Sequence, residues 1–196
     1  MRALAFVDIH ARFSCIKPLL QKSKHADFLI CAGDLSNFGQ GLKKLAFLLA
    51  AAKKKILTIH GNHEDSEDID KLASCYPFFE NIHRKIYRIH DIAVVGFGGG
   101  GFAFEDNKMD RFFRDVHWKL HKERVILVTH APPYGKKVDF IPGVGHRGCI
   151  SVTRGIKLLQ PAYAIAGHLH ETAGTEDRVG KTTILNPGWT GRLIEL

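Results

Sequence analysis

A repeated strand–helix pattern in the first half of the chain restricts its fold more than any other feature. Apolar runs of strand length at residues 3–7, 28–32 and 56–60 alternate with segments in which apolar residues recur at helical spacing. These segments predict helices over residues 15–24, 42–53 and 66–76. Such a repeat is typical of a parallel sheet that helices cover on both faces.

The second half of the chain departs from this repeat. Predicted strands over residues 82–89 and 92–97 are separated only by His90 and Asp91, which indicates a hairpin. The longest predicted helix spans 106–123, and a strand at 125–129, a helix at 151–160 and a strand at 162–166 follow. Residues 131–148 are rich in proline and glycine and are expected to form a long loop. We therefore expect one domain over residues 1–196, with two sheets.

Composition and charge narrow the class of protein. Of the 196 residues, 45% are hydrophobic and 24% are charged, as in a globular protein that is not membrane-embedded. No apolar run approaches the roughly 18 residues of a membrane span, and the N-terminus lacks the pattern of a secretory signal. The four cysteines form no C-x-x-C pair, so we expect reduced thiols in a cytoplasmic protein.

The formal net charge of +8 has two interpretations. It is either a solvated basic surface or a sign of an anionic partner, such as a phosphate compound or a nucleic acid. The basic residues are scattered, and no basic stripe interleaved with aromatic residues is present. Nucleic acid therefore stays possible but unsupported, and the charge says nothing of the oligomeric state.

Residues that can bind metal ions follow five of the predicted strands. The carboxyl ends of strands in an open α/β sheet form its ligand crevice, so we expect these side chains to meet there. Seven of them supply suitable donor atoms: Asp8, His10, Asp34, Asn62, His130, His168 and His170. One catalytic zinc uses three protein ligands, whereas seven suit two divalent ions about 3.5–4 Å apart that share a carboxylate. Mixed imidazole and carboxylate donors favour Mn, Fe, Zn, Co or Ni over Ca.

The same residues stand in five ordered motifs. These are Asp8-Ile9-His10, Gly33-Asp34, Gly61-Asn62-His63-Glu64, the lone His130 and Gly167-His168-Leu169-His170. With them the chain resembles the calcineurin-like metallophosphoesterases, and its compact bacterial and archaeal members in particular. The resemblance extends over residues 8–188, because Asn186-Pro187-Gly188 matches a late turn of the family.

The resemblance implies a fold and a mechanism. The implied fold is α/β, a four-layer α/β/β/α sandwich of two packed mixed sheets flanked by helices. The implied first metal set is Asp8, His10 and His170, the second is Asn62, His130 and His168, and Asp34 bridges them. Mn is the expected ion, with Fe, Zn, Ni or Co as alternatives. Hydroxide bridging the two ions would attack phosphorus, and His63 would assist the leaving group as the catalytic residue. Glu64 is expected to orient His63 or a metal-binding histidine.

One departure from the family's pattern bears on the substrate. Its protein phosphatases carry a D-R-G stretch after the G-D motif, whereas here Leu35-Ser36-Asn37-Phe38-Gly39 follows Asp34 and the arginine is missing. The preferred interpretation is a phosphodiesterase acting on a small or nucleotide-like phosphodiester. The alternatives are a phosphomonoesterase or nucleotidase on the same site, a nuclease, and a non-catalytic protein-binding scaffold.

Three further residues are candidate substrate contacts. Arg12 lies two residues after His10, and His146 and Arg147 lie in the loop at 131–148. Arginine can hold phosphate with two hydrogen bonds, and such a loop can serve as a lid. A solvent-exposed position explains each of them equally well. The run Gly98-Gly99-Gly100-Gly101 lacks the Lys-Ser/Thr of a phosphate-binding P-loop and is interpreted as a flexible connection.

Overall fold

Two mixed β-sheets form the centre of the molecule. The computed structural model describes residues 1–196. The strands are β1 (Arg2–Phe6), β2 (Phe28–Cys31), β3 (Ile56–Thr58), β4 (Phe79–Asn81), β5 (Lys85–Ile89), β6 (Ile92–Phe97), β7 (Arg124–Thr129), β8 (Phe140–Ile141), β9 (Gly145–His146), β10 (Tyr163–Ile165), β11 (Glu176–Val179), β12 (Thr182–Leu185) and β13 (Arg192–Glu195). The helices are α1 (Ile16–Ser23), α2 (Leu42–Leu49), α3 (Ser66–Cys75), α4 (Asn107–His117) and α5 (Ile150–Leu159).

Each large sheet has a parallel centre. The first sheet has the order β13-β1-β2-β3-β4, and only β13 runs antiparallel to its neighbour. The second has the order β11-β12-β10-β7-β6-β5, with antiparallel strands at both edges. Because the inner strands are parallel, their carboxyl ends lie together along one edge of each sheet.

Alternating side chains on the strands divide the apolar core into three layers. Leu4 and Phe6 of β1 pack under α1 and α2, whereas Ala3 and Ala5 face the second sheet. In β7 the same alternation sends Ile126 toward the first sheet, and other residues of this sheet pack against α4 and α5. The predicted four-layer α/β/β/α sandwich is thereby confirmed. The simpler expectation of helices on both faces of one sheet is wrong, since the inner face of each sheet packs against the other sheet.

Local sequence signals explain where two of the helices begin. Asp106 precedes α4, and its carboxylate accepts hydrogen bonds from the backbone N–H groups of Lys108 and Met109. Asp65 and Asp68 form a reciprocal capping box at the start of α3. None of the helices has both the length and the apolar character needed to cross a membrane.

Two predicted elements differ from the structure. The helix predicted over 106–123 ends at His117, and the segment after it is held by the side chain of Arg88 on β5, which donates to the Lys119 carbonyl and to the Glu123 carboxylate. The predicted loop at 131–148 contains a 3-10 turn at Lys137–Asp139 and the β8–β9 hairpin. The predicted hairpin around His90 is present as β5 and β6.

Candidate metal centre

The five motifs meet where the carboxyl ends of both sheets come together. Loops after β1, β2 and β3 bring Asp8, His10, Asp34, Asn62 and His63 from the first sheet. Loops after β7 and β10 bring His130, His168 and His170 from the second. Backbone hydrogen bonds join neighbouring loops: the N–H of His10 donates to the Asp34 carbonyl at 3.0 Å, and that of Gly167 to the His130 carbonyl at 3.0 Å. All seven predicted ligands and His63 therefore lie in one site.

Asp34 occupies the middle of this site. Its Oδ2 atom lies 3.4 Å from Nε2 of His130, 3.5 Å from Nε2 of His10 and 4.0 Å from Nε2 of His63. Its Oδ1 atom accepts a hydrogen bond of 3.0 Å from the backbone N–H of His63. One carboxylate oxygen is thus directed toward three imidazoles while the backbone holds the other.

We call Asp8, His10 and His170 the open trio. Their ligand atoms lie within 4.8 Å of one another. The Nε2 atoms of His10 and His170 are 2.9 Å apart, so one of these nitrogens donates a hydrogen bond to the other. Asp8 Oδ1 accepts from the backbone N–H of His168 at 3.3 Å, whereas its Oδ2 atom is buried and has no hydrogen-bond partner.

We call Asn62, His130 and His168 the closed trio. Asn62 Oδ1 lies 2.9 Å from both Nε2 of His130 and Nδ1 of His168. His130 is fully buried, and its Nδ1 lies 2.9 Å from the carbonyl oxygen of Ala32. Because a carbonyl only accepts, Nδ1 carries the hydrogen, and the Nε2 lone pair of a neutral His130 faces the centre of the site.

The electrostatics of the carboxylates reflect burial and the neighbouring histidines. Burial raises the pKa of Asp8, and the nearby charges of His130 and His170 reduce that effect. Burial also acts to raise the pKa of Asp34, but the hydrogen bond and charge of His130 outweigh it and lower the pKa to about 2. Burial acts to lower the pKa of His130, yet Asp34 outweighs burial there and raises it. Asp34 and His130 thus form a mutually stabilised pair in the metal-free protein.

Two other histidines are held in the neutral form that binds metals. Burial is the main cause that lowers the pKa of His10 to about 4 and that of His168 to about 4, and neighbouring histidines add to it. A neutral imidazole offers a lone pair to a cation. At neutral pH these two ligands need no deprotonation before they bind a metal ion.

The backbone of the site is strained, and the motif glycines make room for it. Asp8, His10, Asp34 and His168 all have positive φ, which non-glycine residues rarely adopt. At Gly61 any side chain would collide with the Asp34 carboxylate. The surrounding fold therefore holds the ligands in positions that local preference disfavours.

These observations test whether the residues fit a metal centre. Two imidazole nitrogens face each other at 2.9 Å, and a buried carboxylate oxygen of Asp8 lacks a partner. The unpartnered buried oxygen is unfavourable in the protein alone and becomes favourable when a cation lies beside it. Nitrogen and oxygen donors of this kind suit divalent transition metals. The site therefore fits a metal ion.

Glu64 has a different role from the one expected. Its Oε1 atom accepts hydrogen bonds from the backbone N–H of Ser36 and from Ser36 Oγ at 2.7 Å. Glu64 therefore holds the loop after β2 instead of orienting a histidine. His63 lies beside it with its Nε2 directed toward Asp34, and its Nδ1 is buried with no hydrogen-bond partner.

The three candidate substrate contacts form no side-chain hydrogen bond and no ring contact with the candidate metal ligands. The guanidinium of Arg12 lies 4.3 Å from the ring centroid of Trp189, a cation–π contact. Nδ1 of His146 bonds the fully buried Asp139 at 2.8 Å, and the backbone N–H of Arg147 donates to the Asp139 carbonyl. His146 and Asp139 thereby organise the loop at 131–148. A substrate contact by any of the three stays a prediction.

Some residues at the site could not be recognised from the sequence. Phe38 lies against His63, and Phe102 lies edge-on to His168 with 4.7 Å between ring centroids. The glycine run also contacts the site: a Cβ on Gly101 would lie 2.6 Å from Cε1 of His168. The run is therefore needed for close approach, which a flexible connection does not require. The Asn37-Phe38-Gly39 turn is the signal that could have indicated Phe38.

Comparisons with known proteins agree with this geometry. A family model for calcineurin-like phosphoesterases matches residues 1–172, so the chain belongs to the calcineurin-like phosphoesterase family. Members of this family typically bind divalent metal ions. The chain is 28% identical over 198 residues to the uncharacterized protein MJ1162 of Methanocaldococcus jannaschii, covering 95% of this chain and 88% of that protein.

A second relative is the UPF0046 protein K07C11.7 of Caenorhabditis elegans, which is 30% identical over 184 residues. That match covers 82% of this chain but only 61% of the worm protein. Among solved structures, TT1561 of Thermus thermophilus has a TM-score of 0.75 at 16% identity, over 96% of this chain and 90% of that one. Purple acid phosphatase PPD1 from yellow lupin has a TM-score of 0.56 at 15% identity, over 87% of this chain and 38% of that one. Likeness at such identities shows the shared fold alone.

Proposed function

We propose that this protein is a phosphodiesterase that uses two divalent metal ions. The open trio would hold one ion, the closed trio the other, and Asp34 would bridge them. We propose Mn as the ion, with Fe, Zn, Ni or Co fitting the same donors. The proposed substrate is a small or nucleotide-like phosphodiester.

The position of Asp34 is the observation that carries this proposal. Its Oδ2 atom lies 3.5 Å from a histidine of the open trio and 3.4 Å from a histidine of the closed trio. A single oxygen between two sets of donors suits a ligand shared by two cations. A centre for one ion would use only one of the two trios as ligands.

The chain's own residues supply positioning and a proton. Two divalent ions held here would offset the charge of phosphate oxygens and supply hydroxide near neutral pH. His63 stands at the side of the open trio, with 4.4 Å between its ring centroid and that of His10. From there we propose that His63 donates a proton from its imidazole to the oxygen of the departing alcohol. The hydrogen bond from its backbone N–H to Asp34 fixes its position.

The surroundings of the site favour a diester over a monoester. A monoester carries two negative charges and calls for an additional cationic group, for which arginine is the usual choice. Arg12 lies over Trp189 instead, and Arg147 is exposed at the loop. The imidazole of His146 is hydrogen-bonded to Asp139. This supports the phosphodiesterase over the phosphomonoesterase.

We also propose a cytoplasmic location. All four cysteines are free, and three of them are buried. Free thiols are usual in a reducing compartment. Fractionation of the native host cells, with detection by an antibody, tests this part of the proposal.

A paired rate assay tests the activity. Protein stripped of metal is reloaded with Mn²⁺ and given bis-p-nitrophenyl phosphate and p-nitrophenyl phosphate, with His63→Ala and His25→Ala as the variant and its control. We expect a Mn²⁺-dependent rate that is higher on the diester, falls in His63→Ala and is unchanged in His25→Ala. A higher rate on the monoester would make the protein a phosphomonoesterase. No turnover of either ester with two ions bound would contradict hydrolysis and favour a binding scaffold.

A further inference from the structure

Phe38 places an exposed aromatic ring on His63. Its side chain is 72% exposed, and its ring centroid lies 4.1 Å from that of His63, with 30° between the ring planes. One part of the ring therefore covers the histidine, and most of the rest faces solvent. An exposed phenyl group next to a reacting site offers apolar surface to a ligand.

The backbone at Phe38 is unfavourable for its residue type. Asn37 and Gln40 pair with each other through two backbone hydrogen bonds of 3.2 and 3.1 Å, which closes a two-residue turn. Phe38 and Gly39 between them have φ of +52° and +79°. Turns of this form prefer Asn, Asp or Gly at both positions, and a bulky residue at positive φ is an outlier. A strained, exposed aromatic residue breaks two local preferences at once, as functional positions often do.

Buried hydrogen bonds hold this turn against the site. Glu64, which directly follows His63, accepts both hydrogen bonds of Ser36. Ser36 Oγ in turn accepts a hydrogen bond of 2.9 Å from the N–H of Gly39. Since Glu64 and Ser36 are buried, the ring is carried on a firmly held loop. The aromatic surface is therefore preorganised for a ligand.

We propose that Phe38 stacks on a planar ring in the leaving group of the substrate, so that the preferred diesters carry a nucleobase or an aryl group there. This inference rests on the proposed function, in which His63 assists the departing oxygen. A group attached to that oxygen lies on the side of His63 and so within reach of Phe38. Aromatic side chains bind nucleobases by stacking, and every base has a face to offer.

Two matched ligands test this without any turnover. Adenosine 5′-monophosphate and ribose 5-phosphate present the same phosphate and differ only in the base. Their affinities for Mn²⁺-loaded protein are measured by calorimetry for the wild type and for Phe38→Leu, Phe38→Tyr and Phe47→Leu. Leucine has a Cβ like phenylalanine, so it does not relieve the backbone. Phe47 is 68% exposed on α2 and makes no contact with the site, so it serves as the control.

We expect the wild type to bind the nucleotide about tenfold more tightly than ribose 5-phosphate, the scale of one base–aromatic contact. Phe38→Leu should reduce this ratio to about one, whereas Phe38→Tyr and Phe47→Leu should keep it. An equal affinity of the wild type for both ligands, or an unchanged ratio in Phe38→Leu, would overturn the inference alone. Failure to bind either phosphate, with bis-p-nitrophenyl phosphate still hydrolysed, would overturn the inference alone. Failure to bind either phosphate, with no Mn²⁺-dependent turnover of the diester, would overturn the proposed function together with it.

Kinetics distinguish stacking from a merely structural role of Phe38. If the ring binds the substrate, Phe38→Leu raises KM for bis-p-nitrophenyl phosphate and leaves kcat nearly unchanged. If the ring only positions His63, kcat falls for every substrate and the binding ratio stays as in the wild type. The second result would contradict the stacking role.

Discussion

The two trios of the candidate metal centre differ in how firmly the protein holds them. In the closed trio, His130 is fully buried and hydrogen-bonded to Ala32, and the glycine run packs against His168. In the open trio, His170 is exposed on a 3-10 turn, and its ring nitrogen meets only that of His10. The closed trio is thus held by more contacts, whereas the open trio presents His170 to the solvent, with His10 partly exposed and Asp8 buried.

This difference concerns how the ligand side chains are oriented. Hydrogen bonds to a metal-binding side chain fix its ring or amide orientation. Asp34 contacts both trios, so their properties are coupled through one carboxylate. The following variants test how the two trios differ.

The largest effect is expected from Asp34→Asn, which removes the charge shared by both trios. The amide still accepts the hydrogen bond from the N–H of His63, so the loop keeps an anchor. Mutation of a residue that only hydrogen-bonds a metal ligand lowers metal affinity or activity about 10- to 100-fold. Removal of a ligand shared by two ions should therefore lower Mn²⁺-dependent activity by more than about 100-fold. Metal analysis of the dialysed variant should show fewer bound ions than in the wild type. A variant that keeps two ions and full activity would refute the bridging position of Asp34.

Gly101→Ala should disturb the closed trio through His168. The added Cβ would lie 2.6 Å from the His168 ring, and Gly143→Ala is the control because nothing lies within 4 Å there. Both positions have positive φ, so each variant should lose about 1–2 kcal/mol in its free energy of unfolding. Only Gly101→Ala should also weaken activity, by about 10- to 100-fold. Equal activity of the two variants would show that the glycine run does not position His168.

His130→Ala and His170→Ala compare the two trios directly. Removal of the buried His130 leaves the Ala32 carbonyl without its partner and should cost about 1–3 kcal/mol of metal-free stability. Removal of the exposed His170 should change that stability by less than about 0.5 kcal/mol. Urea unfolding of both chelator-treated variants measures the difference. Equal losses would mean that the two trios are held alike.

A smaller effect concerns His83, which supports the glycine run from outside the site. The N–H of Gly98 donates to its Nδ1 at 2.9 Å, and burial, with His60 nearby, lowers its pKa to about 4. Since the folded pKa lies below the unfolded one, the unfolded state binds the proton first. The stabilisation is therefore complete above about pH 6.5 and is lost as the pH falls toward 4.

The measurement is the free energy of unfolding at pH 7 and pH 5 for the wild type and His83→Asn. Asparagine can accept the Gly98 hydrogen bond and does not titrate. Because His83 is only half-buried and solvent screens part of its pKa shift, we expect the difference between the two pH values to be about 1 kcal/mol smaller in the variant. An identical pH dependence would mean that His83 is not the titrating group.

The layered fold and the convergence of the candidate ligands could be predicted from the sequence because both rest on repeated local signals. Apolar runs recur at the period of strands and helices, and ligand residues follow the parallel strands. The end of α4 could not be predicted, since the segment after it is held by Arg88 on a distant strand. Strand β4 is Phe-Glu-Asn, so no apolar run marks it, unlike the equally short β3 and β10.

The finer parts of the site depend on contacts distant in sequence. Glu64 belongs to a motif, yet its partner Ser36 lies 28 positions earlier, and nothing in the motif indicates it. The position of Phe38 follows from that anchor and from a turn that breaks the usual preferences. Residue 101 must be glycine because the ring of His168 lies against it in the folded protein. His168 follows a different strand, so the sequence around Gly101 does not indicate this contact.

Electron paramagnetic resonance during a Mn²⁺ titration tests whether two ions share Asp34. Metal-stripped wild type and Asp34→Asn are titrated with Mn²⁺, and free and bound ions are counted at each step. Two ions on either side of Asp34 should give a stoichiometry of two per chain and a spin-coupled signal at saturation, which Asp34→Asn should lose. One ion per chain, or two ions without coupling in the wild type, would contradict a centre in which both trios share this carboxylate.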